Sequence, residues 1–155
     1  MPDDNRIRLG LRERLGDRVA WDERTLRRQA RDQSIYEVSP VAVVFPRDVD
    51  DVVTVLHLAA ECGVPVTPRG GGSGTAGAAL GSGVVLAPAK DGPLGQLGSL
   101  TSVSGRPEIS AGPAVLHDAL QAALRTEGLF LPADPSSGAL CLIGEIGRAS
   151  CRERV

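Results

Sequence analysis

The residues best suited to chemistry lie in one run, Pro68-Arg69-Gly70-Gly71-Gly72-Ser73-Gly74-Thr75-Ala76-Gly77. Every position from Gly70 to Gly77 except Ala76 is glycine, serine or threonine. Glycines permit positive φ and let backbone N–H groups converge without side-chain obstruction. Converging N–H groups form a nest suited to an anion, above all a pyrophosphate. Arg69 adds a cation able to neutralise a phosphate. A flexible surface linker could share this composition, but the run follows directly on an apolar strand. That placement favours a ligand loop.

Two familiar phosphate loops do not fit. Gly72-Ser73-Gly74-Thr75-Ala76-Gly77 matches G-x-G-x-x-G literally, yet that fingerprint requires a helix opening at the loop. Only residues 78–83 separate Gly77 from Val84, with Gly81 and Gly83 among them. A parallel crossover needs roughly a dozen residues or more. A Walker A loop requires lysine after its second glycine, and Ala78 stands there.

The elements that must position the loop are legible on both sides of it. Between Ile7 and Ala30 the apolar residues Ile7, Leu11, Leu15, Val19 and Leu26 recur at helical spacing, with breaks near Gly16 and Trp21. Asp32–Pro40 reads as a loop into a strand at Val41–Phe45. Asp48 is a candidate N-cap, with Asp50 and Asp51 in the first turn where the helix dipole favours acids. Val49, Val52, Val53, Leu56, Ala59 and Ala60 then share one helical face. Gly63 is the expected left-handed C-cap. A strand at Val64–Thr67 completes a βαβ unit, whose crossover is right-handed by rule. After the loop come a short strand at Gly83–Ala87 and paired strands at Leu100–Ser104 and Glu108–Ala111. A second helix is expected from Pro113 to Glu127, burying Val115, Leu116, Ala119, Leu120, Ala123 and Leu124 and ended by Gly128. An extended stretch and loop, Leu129–Gly138, follows.

The strand–helix–strand that ends in PVTPRGGGSGTAGAALGSGVVL resembles the flavin-domain signature of the vanillyl-alcohol oxidase/p-cresol methylhydroxylase (PCMH) family. Its D-lactate and glycolate dehydrogenase branch has P-R-G-G-G-T-S-x-x-G here, and downstream G-L-x-F-P-P-D-P-S-S followed by C-T-I-G-G-N. This chain has Gly128-Leu129-Phe130-Leu131-Pro132-Ala133-Asp134-Pro135-Ser136-Ser137 and then Cys141-Leu142-Ile143-Gly144. The resemblance covers about residues 30–144 and implies an α+β, PCMH-type FAD-binding domain. Its parts would be a βαβ subdomain and a strand-rich lobe, with noncovalent FAD between them.

It further implies that Arg69, Gly70, Gly71, Gly72, Ser73, Gly74 and Gly77 wrap the pyrophosphate. Asp134, Ser137, Cys141, Ile143 and Gly144 would lie along the flavin and its ribityl or phosphate portion. Several positions depart from the pattern. Ser73 replaces Thr but keeps a hydroxyl, Gly74 replaces Ser, and Leu142 replaces Thr and loses one. LAPAKDGPLG stands where the family has an L-D-L-S run.

The implied activity is oxidation of a 2-hydroxy acid such as D-lactate or glycolate by hydride transfer to FAD, with an unknown electron acceptor. The branch places its catalytic residues beyond Gly144, so none is named here and the chain itself is expected to be inactive. Alternatives are a sugar or aldonolactone oxidase on the same module, or a non-catalytic nucleotide-binding module. Some relatives tether flavin through a loop histidine. His57 and His117 both fall in expected helices, as ordinary surface or core histidines.

Ile146–Val155, IGRASCRERV, has no apolar period, cap or fitting turn chemistry, and resembles the in-frame translation of a common sequencing adapter. The organisation expected is therefore a helical segment at 1–37, a partial flavin domain at 38–145 and a non-native tail at 146–155. On that reading position 145, glycine in the family signature, became Glu145. A net charge of −2 gives no reason to expect nucleic acid. The nine arginines of the first 31 residues are interleaved with acids, as on a solvated helix. Cys62, Cys141 and Cys151 form no C-x-x-C pair and indicate neither a disulfide framework nor a metal site. With no apolar run near 18 residues and no signal peptide, the expected location is the cytoplasm, with peripheral membrane attachment through a partner left open.

Overall fold

The computed structural model describes residues 4–146. Of the expected non-native tail only Ile146 is included, and 147–155 lie outside the described residues. The chain folds into two lobes, each with its own core.

The first lobe is a four-stranded sheet flanked by helices. In chain order it contains α1 (Asp4–Leu15), β1 (Val19–Ala20), α2 (Glu23–Gln29), β2 (Ala42–Val44), α3 (Val49–Cys62), β3 (Val66–Pro68) and β4 (Val84–Leu86). The strand order is β1-β2-β4-β3, with β1 antiparallel to β2 and the other pairs parallel. β2 (Ala-Val-Val) and β4 (Val-Val-Leu) are buried at every position, as strands covered on both faces must be. Ile7, Leu11 and Leu15 of α1 and Val55, Leu58 and Ala59 of α3 complete this core. The two-residue β1 was not expected. It forms because Val19 pairs with Val44 at the open edge of β2.

α3 has the ends its sequence specifies. The Asp48 carboxylate accepts from Asp51 N–H, and Gly63 adopts φ +64; a cap of this kind contributes about 1 kcal/mol. Its buried face differs from expectation. Val49, Val53 and Leu56 are exposed, while Asp51, Val55, Leu58 and Ala59 are buried. Two overlapping apolar stripes run along this helix, and tertiary contacts choose between them. Asp51 pairs with Arg18 and accepts from Arg47 N–H, which turns the Val55–Leu58 side inward towards α1.

β3 and β4 are parallel neighbours, and residues 69–83 cross between them without a helix. The absence of a Rossmann helix is as expected. The crossover is nevertheless parallel, because its length runs from Arg69 rather than from Gly77.

The second lobe holds β5 (Thr101–Val103) and β6 (Arg106–Glu108), an antiparallel hairpin closed by Ser104 and Gly105, and α4 (His117–Arg125). α4 is shorter than expected. Pro113 and Ala114 form a turn instead, and Leu116 makes an antiparallel bridge to Leu142. The carbonyls of Pro113 and Val115 accept from Gly144 and Ile143 N–H. The buried face of α4 is His117, Leu120, Gln121 and Leu124, so the expected Ala119 and Ala123 are not part of it. Gly128 follows at φ +69. Val115, Leu120 and Leu124 pack with Leu97, Leu129, Leu131 and Ile143. The whole is an α+β arrangement, with the glycine loop where the lobes meet.

Candidate functional site

The glycine loop leaves β3 while still paired, Arg69 N–H donating to the Leu86 carbonyl at 2.7 Å. The Arg69 side chain turns beneath the loop, where its guanidinium donates to the carbonyls of Arg31 at 2.8 Å and Gln29 at 3.4 Å. Burial lowers its pKa from the ordinary guanidinium value, while Asp32 and Glu145 pull it back up; a guanidinium in a protein stays charged. Gly72, at φ +69, passes directly over this group, and any Cβ there would strike the guanidinium. The cation thus sits behind the loop and the amides line its front.

Two of those amides converge. Gly71 N–H and Ser73 N–H donate to the two carboxylate oxygens of Glu145 at 2.8 and 2.7 Å, and Ser73 Oγ adds a third bond at 3.0 Å. Leu142 N–H lies 3.4 Å from the same carboxylate. The loop therefore presents a working anion nest, here holding a side-chain carboxylate. The second signature segment reaches it as well, Ser137 Oγ donating to Ser73 Oγ at 3.1 Å. A Cβ on Gly71 would overlap the Leu140 carbonyl, which explains glycine at that position.

Beside the nest opens a cavity of about 260 Å³ between the lobes. Its walls are apolar, with Pro46, Pro68, Leu86 and Pro88 from the first lobe and Leu94 and Pro113 from the second. Arg69 and Glu145 are its ionisable lining residues. An apolar slot beside an amide nest suits a ligand with a flat hydrophobic part and a diphosphate.

The expected site residues divide into three groups. Arg69, Gly70, Gly74 and Gly144 line the cavity, and Gly71, Gly72 and Ser73 build the nest with Ser137 behind it. Gly77, at φ +74, lies farther along the loop against the Tyr36 ring. Cys141 and Ile143 are not cavity-lining: Cys141 is fully buried, and both anchor backbone bonds to the α4 region. Asp134 is exposed in the segment leading to Ser137.

His57 is exposed on α3, and His117 is a core residue whose Nε2 lies 2.7 Å from the Ala133 carbonyl. A carbonyl only accepts, so Nε2 carries the proton there. Gln121 pins both backbone groups of Leu131, at 2.8 and 3.0 Å. The role of Gln121 had no signal in the sequence, and neither did the contact of Glu145 with the loop. No metal-binding group of side chains occurs among the described residues, and no helix there is long and apolar enough to cross a membrane.

Comparison with known proteins gives a consistent set of relatives. The FAD binding domain family matches residues 40–149. The chain is 34% identical to D-2-hydroxyglutarate dehydrogenase of Pseudomonas putida over 79% of its length, spanning 13% of that protein. It is 29% identical to glycolate oxidase subunit GlcD of Escherichia coli over 93% of its length, spanning 29% of it. Among solved structures, p-cresol methylhydroxylase with substrate bound superposes with a TM-score of 0.64 at 17% identity, covering 91% of this chain and 28% of that one. An alkyldihydroxyacetonephosphate synthase superposes with a TM-score of 0.62 at 21% identity, covering 84% and 26%.

Proposed function

This chain belongs to the FAD binding domain family, and from that premise we propose that it is the flavin-holding part of an oxidoreductase acting on a 2-hydroxy acid. FAD is its cofactor, and the residues present fit that group. The observation that carries the reading is the convergence of Gly71 N–H, Ser73 N–H and Ser73 Oγ on a single anionic group beside an apolar cavity. FAD joins a diphosphate to extended ring systems, and these two features answer to those two parts.

The flavin supplies the hydride acceptor, and the protein contributes binding, orientation and exclusion of water. Gly71 and Ser73 would donate to the phosphate oxygens, and the buried Arg69 cation would offset their charge from behind. Gly72 has no side chain between cation and nest. Ser137 donates to the Ser73 hydroxyl from the second lobe, so residues of both lobes would hold the diphosphate. The loop has no histidine, which supports noncovalent attachment. Asp134, Cys141 and Ile143 would support the remainder of the cofactor from the second signature.

A 2-hydroxy acid substrate is favoured by the relatives named 2-hydroxyglutarate dehydrogenase and glycolate oxidase. The domain is taken to span 38–145, with 1–37 as a leading segment, in a cytoplasmic protein that passes electrons to an unidentified acceptor. Two measurements test this. The chain should take up FAD and quench its fluorescence. The whole protein, held anaerobically with D-lactate, glycolate or D-2-hydroxyglutarate, should lose its oxidised-flavin absorption with at least one of them. Retention of FAD without reduction by any hydroxy acid would leave a flavin domain and remove the substrate class.

A further inference from the structure

The nest that should receive the diphosphate already has an occupant from its own chain. Glu145 sits in the 3₁₀ turn Ile143–Glu145 and is only 8% exposed. Its carboxylate accepts from Gly71 N–H, Ser73 N–H and Ser73 Oγ, at 2.7 to 3.0 Å, and lies 3.4 Å from Leu142 N–H. The Arg69 cation attracts it electrostatically. Its Cβ also occupies the space that a Cβ on Gly70 would need, so the whole side chain lies along the loop. Each of these donors is one a phosphate oxygen would use, and an amide N–H that bonds a carboxylate cannot give the same bond to a phosphate.

We infer that Glu145, which stands where the family signature has glycine, is an internal competitor for the anion site of this chain: the carboxylate mimics a phosphate, closes the nest, and must swing out before a diphosphate binds, whereas a chain with glycine at 145 has an open nest. The inference rests on the reading of this loop as the diphosphate site. Its energetic basis is direct. Charge-assisted hydrogen bonds are the strong ones, so displacing the carboxylate costs part of what the diphosphate gains. An intramolecular competitor on a short turn acts at high effective concentration. The occupant also ties the lobes together, since it reaches from the Ile143–Glu145 turn across to the glycine loop.

The test titrates the full chain with inorganic pyrophosphate by calorimetry, and with FAD by fluorescence, in the parent and in Glu145→Gln and Glu145→Gly. Circular dichroism melting verifies that each variant is folded. Both variants should bind pyrophosphate about tenfold or more tightly than the parent, the scale of losing one charged competitor. Equal affinities, within about twofold, would overturn self-occupancy while leaving the flavin-site reading intact. Failure of parent and variants alike to bind either ligand would sink both. In the unsubstituted chain, the carboxyl carbon resonance of Glu145 should shift as pyrophosphate saturates the loop. A resonance that stays put with pyrophosphate bound refutes the displacement, whatever the variants do.

Discussion

At the scale of single residues, the glycine loop separates steric necessity from composition. Gly71 touches the Leu140 carbonyl so closely that a Cβ cannot fit, whereas a Cβ on Gly74 would meet nothing within 4 Å. Gly71→Ala should therefore lower the unfolding free energy by about 1–3 kcal/mol, the usual cost of overpacking, and should abolish FAD uptake. Gly74→Ala should stay within about 0.5 kcal/mol of the parent, as open positions do. Paired melting curves and FAD titrations of the two variants test this contrast, and equal destabilisation would refute it. The glycine richness of the loop is legible in the sequence alone. The backbone carbonyl that requires glycine at position 71 is not, because Leu140 lies in a distant part of the chain.

At the scale of elements, the helices show what local signals can and cannot settle. The caps of α3 follow from Asp48 and Gly63, both of which act within one turn of the chain. Asp22 caps α2 in the same way, its carboxyl held below the usual range by hydrogen bonds from Thr25. The buried faces of α3 and α4 were another matter. Val53 and Val55 are equally apolar, and the Arg18–Asp51 pair decides which turns inward. In α4, the polar Gln121 is buried because its amide satisfies both backbone groups of Leu131, and periodicity counts only apolar side chains. Gln121→Leu should cost about 2 kcal/mol by orphaning a half-buried N–H and C=O. It should also speed amide exchange at Leu131, upstream of the Asp134–Ser137 loop. Unchanged stability and exchange would mean that the tether carries no energy.

At the scale of the molecule, the ligand site is the seam between two cores. The cavity takes walls from both lobes, and the nest takes donors from the loop and from Leu142. A ligand bound there stabilises both lobes by mass action, about 2.7 kcal/mol at a concentration of 100 Kd. The single tryptophan, Trp21, packs against the first core with Arg12 over its ring, so its fluorescence reports that lobe while far-ultraviolet dichroism reports both. Saturating FAD or pyrophosphate should raise the two melting midpoints together. A shift in dichroism with Trp21 unmoved would place the ligand on the second lobe alone.

The sequence by itself determined the features that depend on neighbours in the chain. These are the strand β2, the capped helix α3, the anion-prone loop at Gly70–Gly77 and the two ordered motifs that point to a flavin domain. Tertiary structure alone decided the strand order, which inserts β4 between β2 and β3. It decided too that Arg69 lies beneath its loop on the carbonyls of Gln29 and Arg31, and that Glu145 fills the nest. The reason is separation along the chain. Gly71 and Ser73 meet a carboxylate more than 70 residues away, and no period or spacing within a window of residues can encode which distant group folds into reach.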